Sequence, residues 1–199
     1  MPTRARERLL DAARQLFYAE GVRAVGVDRL LTVSGVGRAS FYRHFASKDD
    51  LVAAVLISES EDYLAWLRSV VEAGDGDPLA VFDGLATRFT ATDFRGCAAL
   101  NAMVEIVEVS DPAYALAAGH KRAVIAYLDG VLDAAGHPDH AALAEQFMQL
   151  IDGANVTSMR ERTTEAAQRA KSMAALLLNT GTGGAITTRL PVSSSHGRW

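Results

Sequence analysis

The sequence predicts an all-α protein of about nine helices, and three observations carry that expectation. Apolar residues recur at three- and four-residue spacing along most of the chain, the period of one buried helix face. Alanine is very frequent while only 5 of the 199 residues are proline, a balance that favours helix. No pair of segments shows the strict alternation expected of half-buried strands, and there is no internal repeat.

Each element is bounded by its own signals. The first helix runs from about Thr3 to Ala19, with Leu9, Ala12, Ala13, Leu16 and Phe17 on one face. Glu20-Gly21 ends it, Gly21 being suited to a left-handed cap. A second, short helix covers about Val27–Ser34 and buries Val27, Leu30 and Leu31. Gly35-Val36-Gly37 makes a tight turn, and a third short helix covers Arg38–Phe45. Ser47, three residues before Asp50, has the spacing of a capping box and starts a long fourth helix over about Lys48–Ala73. Gly74-Asp75-Gly76-Asp77-Pro78 stops it. Further helices are expected at Pro78–Ala91, Arg95–Val109, Pro112–Ala135, His140–Arg162 and Thr164–Asn179. Pro112 stands at a first helical position, where its missing N–H costs nothing. From Gly181 onward periodicity is lost, and residues 181–199 read as a disordered tail.

Composition narrows the function classes. With 49% hydrophobic and 22% charged residues the chain is of ordinary globular character. The single cysteine, Cys97, cannot form an internal disulfide or a cysteine-based metal cage, and a reducing, cytoplasmic setting is the simplest reading. No apolar run approaches the roughly 20 residues needed to span a bilayer, so no membrane partner is expected. The amphipathic, charged start does not resemble a signal peptide. Charge is uneven: residues 1–50 hold nine basic and six acidic side chains, a net +3, and the remainder eleven and eighteen, a net −7. A basic head on an acidic body suits a polyanion-binding module.

The histidines (His44, His120, His137, His140 and His196) form no metal-ligand cluster; His137 and His140 are three apart, but Pro138 puts them in a loop. No nucleophile elbow or phosphate-cradling loop follows a strand. An enzyme is not expected, and neither a cofactor nor a metal.

Three short helices, the last two joined by a glycine turn, make a helix-turn-helix pattern. Gly35 supplies the permissive backbone and Val36 plugs the core. The third helix buries Ala39 and Phe41–Phe45, with Phe41 and Phe45 as anchors. Its other face offers Arg38, Ser40, Tyr42, Arg43 and His44, short and polar enough for a major groove about 12 Å wide.

The run VDRLLTVSGVGRASFYRHFASKDDLVAAV resembles the DNA-binding signature of the TetR family of repressors. The resemblance lies in Phe41-Tyr42-Arg43-His44-Phe45, then Ser47-Lys48 and an acid-rich start to the fourth helix, and it covers about residues 5–55. Arg95-Gly96-Cys97 followed by Leu100-Asn101 also resembles a C-terminal domain of one branch of that family. The likeness implies a helix-turn-helix domain at 1–47 and an effector-binding and dimerisation domain at 48–180. It implies phosphate contacts for Tyr42, His44 and Lys48, while Arg38, Ser40 and Arg43 occupy exposed recognition-helix positions where arginine pairs with guanine edges. Two departures stand out. Gly26-Val27-Asp28 replaces the usual Thr cap of the second helix, leaving Asp28 a capping or solvated role, and Gly37 stands where Ser or Thr is common.

In the body, Tyr63, Trp66, Phe82, Phe89, Met103, Tyr127 and Phe147, with Met148, are candidates for the wall of a mainly apolar ligand pocket; ordinary core packing is the alternative for each. Asn101 and Glu105 share a helix face and are candidates for its polar part, an exposed stripe being the alternative. Cys97 reads as a small buried hydrophobe. The last two helices carry Gly153, Ala154 and Thr157, and Ala166, Ala170, Met173, Ala174 and Leu177, which permit close helix approach. A four-helix homodimer interface or intramolecular packing would each explain them. The expected function is that of a dimeric repressor on palindromic double-stranded operator DNA, released by an unidentified small molecule that tilts the unbroken fourth helix. The alternative is a helical ligand- or partner-binding module without sequence-specific DNA binding.

Overall fold

The computed structural model describes residues 4–180; the expected tail at 181–199 lies outside the described residues. Nine helices are formed among them: α1 (Arg4–Glu20), α2 (Val27–Ser34), α3 (Arg38–His44), α4 (Lys48–Ala73), α5 (Ala80–Arg88), α6 (Ala98–Glu105), α7 (Pro112–Ala134), α8 (His140–Glu161) and α9 (Glu165–Thr180). No strand occurs among the described residues.

Local chemistry sets the boundaries. Gly21 closes α1 at φ 94, its N–H on the Phe17 carbonyl. The positive φ admits glycine readily, and the Glu105 carboxylate lies 2.9 Å from where a Cβ would stand. Ser47 accepts from the Asp50 N–H while the Asp50 side chain accepts from the Ser47 N–H, so α4 starts with a complete capping box. Asp111 caps α7 at the Ala113 N–H, ahead of Pro112.

Three elements differ from their sequence pattern. The fifth begins at Ala80 because the Asp77 carboxylate takes the Leu79 N–H at 2.8 Å and holds Asp77–Ala80 in a turn. The sixth is cut to Ala98–Glu105. On its N-terminal side Gly96 has φ 85 and the Arg95 N–H donates to the Tyr18 hydroxyl; on its C-terminal side Ile106 turns extended. Val107 and Val109 beyond it lie 74% and 70% exposed, so the apolar run has no core to join. Ala39, expected in the buried stripe of the third helix, is exposed, since Phe41 and Phe45 already fill the space beneath α3.

Two cores hold the chain together. The larger gathers Leu67 and Val71 of α4, Phe82 and Leu85 of α5, Val124, Leu128 and Leu132 of α7, and Phe147 and Ile151 of α8 under Ala167, Ala170 and Ala174 of α9. The smaller gathers Leu9, Leu16 and Phe17 of α1, Leu30, Val36, Phe41 and Phe45, and Leu51, Val52 and Val55 of α4. It is completed by Ala102 and Ile106 at α6 and Ala113 at α7. Each large side chain fully buried this way contributes roughly 1.5–3 kcal/mol. The head formed by α1–α3 therefore sits on the body through α4 and through the α6–α7 corner.

Candidate nucleic-acid interface and cavity

The turn between α2 and α3 is closed by Gly35 at φ 63, whose N–H reaches the Leu31 carbonyl. Val36, Phe41 and Phe45 point inward at 4%, 0% and 5% exposure, and the Phe41 ring meets Tyr42 edge-on at 5.1 Å. Burial of these three fixes the rotation of α3 about its axis. What remains outward is Arg38, Tyr42 and Arg43, all exposed, with Ser40 and His44 half-buried beside them and Lys48 half-buried at the start of α4. Among the described residues nothing covers this face of the helix, and Tyr42 is 51% exposed. The Arg43 guanidinium donates to Ser40 at 2.9 Å, which holds it along the helix.

Asp28 has a role that the sequence leaves open: its carboxylate is ion-paired with Arg38. Both groups are more than half exposed, so the pair adds little stability. A negative charge beside Arg38 would oppose a phosphate approaching this end of α3. Asp28→Asn is expected to tighten binding to non-specific duplex DNA by a few-fold at low salt, read by fluorescence anisotropy; weaker binding would show that Asp28 positions Arg38.

Below the head lies a cavity of about 470 Å³ bounded by α1, α4, the α5–α6 segment, α6, α7 and α8. Tyr63, Asn101, Glu105 and Met148 stand in its wall. The other aromatic and methionine candidates lie elsewhere. Phe82 and Phe147 pack on each other at 5.5 Å in the main core, and Phe89 packs on Phe94 at 4.8 Å. Trp66 lies behind Tyr63 at 5.0 Å, Tyr127 lies under Arg68, and Met103 is half-buried on α6.

Several wall residues escape a reading based on periodicity: Arg14, Tyr18, Glu59, Arg88, His120 and Lys121. Arg14 bridges α1 to α4 through Glu59 at 2.7 Å and Asp62 at 3.0 Å. The Tyr18 hydroxyl donates to the Gly96 carbonyl and accepts from the Arg95 N–H. Glu105 accepts from the Arg23 N–H at 2.9 Å. Three wall residues are thus also the ties between head and body. A signal did exist for His120: it lies on the apolar face of α7, three residues after Ala117 and four before Val124.

His120 is 7% exposed, its Nδ1 lies 3.0 Å from the Ser60 hydroxyl, and Tyr63 meets it edge-on. Burial first, and then neighbouring Lys121, lower its pKa from 6.5 to about 4, so it is neutral at pH 7. Between these two values the unfolded chain binds a proton that the native state refuses. Stability is therefore full above about pH 6.5 and falls as the pH drops towards 4, by about 3 kcal/mol. Thermal melts across that window should show a shallower acid loss in His120→Gln; parallel curves would refute the assignment. Burial likewise raises the Tyr63 phenol above its ordinary value, keeping its proton in place.

On the two last helices, Ala154, Ala166, Ala170 and Ala174 are buried within the chain where α8 meets α9. Gly153 and Met173 are exposed and Thr157 and Leu177 half-buried. Val156 and Met159 of α8, and Met173 and Leu176 of α9, remain on the surface at 42%, 38%, 54% and 66% exposure.

No described helix is long and apolar enough to cross a membrane, and no described group of His, Cys, Asp and Glu is placed to hold a metal.

Comparison with known proteins agrees with this geometry. Residues 9–55 match the family described as bacterial regulatory proteins, tetR family. The solved structure of SCO4454, a TetR-family transcriptional regulator from Streptomyces coelicolor, superposes with a TM-score of 0.84 at 29% identity, over 90% of this chain and 97% of that one. A TetR transcriptional regulator from Streptomyces avermitilis, SAV143, is 32% identical with a TM-score of 0.68, over 89% of this chain and 94% of its own. The transcriptional repressor NemR of Escherichia coli is 27% identical over 133 residues, 64% of this chain and 67% of that repressor. With the open face of α3 and an all-helical body beneath it, the chain belongs to the TetR family of DNA-binding transcriptional regulators.

Proposed function

We propose that this regulator is a repressor that binds a palindromic operator as a homodimer and leaves it when a small molecule enters the cavity. One observation carries the reading: the side chains that tie head to body, Arg14, Tyr18 and Glu105, are themselves part of the cavity wall. A ligand that needs their polar groups or their space binds one head orientation better than another, and differential affinity of that kind is what shifts a two-state equilibrium. Coupling of about 1–3 kcal/mol would weaken DNA binding roughly 5–150-fold. Residues 1–47 act as the reading head and 48–180 as the effector and dimerisation body.

Arg38, Ser40 and Arg43 address base edges, and Tyr42, His44 and Lys48 the phosphates. The surface stripe of Val156, Met159, Met173 and Leu176, with Gly153, Thr157 and Leu177 around it, supports pairing of α8 and α9 with a second copy. Twofold symmetry then sets two α3 helices about 34 Å apart, one turn of duplex.

Selection of bound duplexes from a random pool, with mass measurement of the free protein by light scattering, tests the reading. Enrichment of an inverted repeat by a dimer is expected. Enrichment of a single unrepeated site by a monomer would overturn it.

A further inference from the structure

One cation of the cavity wall is held by aromatic rings and not by an acid, and that placement points to a ligand class. Three cationic side chains stand in the wall: Arg14, Lys121 and Arg88. Arg14 is held by Glu59 and Asp62, and Lys121 by Asp152 at 2.5 Å. Arg88, at the end of α5, makes no ion pair among the described residues. Its guanidinium instead lies over two rings, 4.6 Å from the Trp66 centroid and 5.3 Å from Tyr63. No acid takes its N–H groups, and a guanidinium's planar fork is suited to receive a carboxylate.

Three of the four acids of the wall are engaged. Glu59 and Asp62 are taken by Arg14, and Glu105 by the Arg23 N–H. Asp93 is exposed, beside the exposed Arg88 and Ala91 at the rim. Glu59, Asp62 and Glu105 are thus engaged, and Asp93, which makes no ion pair among the described residues, stands at the rim beside Arg88, whose guanidinium would repel an organic cation there. Leu56, Phe94, Val124 and Met148 give the wall an apolar part, beside the polar Ser60 and Asn155, and His120 adds no charge at neutral pH.

We propose that the effector is a small organic anion, a carboxylate on an apolar body, anchored by Arg88 at the cavity rim. This rests on the reading of the cavity as the effector site. The apolar body fills the space under the head and the carboxylate replaces water on the Arg88 fork. Arg88 is then the residue that distinguishes an acid from its neutral amide.

The test is isothermal titration of the full-length chain with matched pairs: octanoate, phenylacetate and naphthoate, each against its primary amide. At least one carboxylate is expected to bind about tenfold or more tightly than its amide. In Arg88→Gln that ratio should fall to near one, and in Arg88→Lys, which keeps the charge without the fork, to an intermediate value. Far-ultraviolet dichroism and melting temperature identify a variant that has not folded, and the amide arm then reads the cavity by itself. Carboxylates and amides binding equally well, or a ratio that survives Arg88→Gln, would overturn the inference and leave the cavity reading standing. Failure of every compound in both series would remove the effector-site reading and this inference with it.

Discussion

Replacing Arg38, Tyr42 and Arg43 together with alanine should lower operator affinity by about a thousandfold or more while leaving the melting temperature nearly unchanged. The three side chains are exposed, and surface substitutions away from caps and buried networks move stability by only about 0.5 kcal/mol each. Their loss from a protein–DNA contact is of another order: an arginine on a guanine edge is worth about 1–3 kcal/mol, and each lost phosphate contact reduces the salt slope by about one. Anisotropy titrations at several salt concentrations separate the two contributions. Affinity within tenfold of the parent would mean that α3 is not the reading element, whatever its exposure.

The opposite face of the same helix gives the second large effect. Phe41→Ala should cost about 3–5 kcal/mol in denaturant unfolding, because the ring is 0% exposed and its removal leaves a void between Tyr42, Phe45 and the faces of α1 and α4. DNA binding should fall as well, but through loss of the seat of α3 and not through a lost contact. Phe41→Leu, which keeps most of the volume, should recover most of both. A cost under about 1 kcal/mol for the alanine variant would show that the head is held by something other than this core. These two results together would separate residues four or fewer apart on one short helix into those that hold it and those that read DNA.

Much of this was legible in the residues because the signals were local. Val27–Ser34 and Lys48–Ala73 begin and end where glycine, capping serine and apolar spacing put them. The sixth helix was not legible: Arg95–Val109 is apolar enough for a helix nearly twice as long, and its limits come from Tyr18, 77 positions away, and from an absence of core against Val107 and Val109. The cavity followed the same rule. Aromatic content draws attention to Phe82, Phe89 and Phe147, yet large flat rings are what a core uses to fill volume, and there they went. The wall was finished instead by Arg14, Tyr18 and His120, whose neighbours are set by how α1, α4 and α7 meet. The sequence leaves Asp28 a capping or solvated role because its partner, Arg38, lies across the α2–α3 turn.

The smaller core carries a consequence for dissection of the molecule. Since Ala102, Ile106 and Ala113 close it from the far side of the chain, residues 1–47 expressed alone would expose the inner surfaces of Leu9, Phe17 and Phe41 to water. Such a fragment should be a fluctuating, weakly helical peptide instead of a miniature DNA binder. In the intact protein, head and body should melt in one transition by calorimetry, and lesions at Ile106, buried on the body's side of that shared core, should surface in genetics as loss of operator binding.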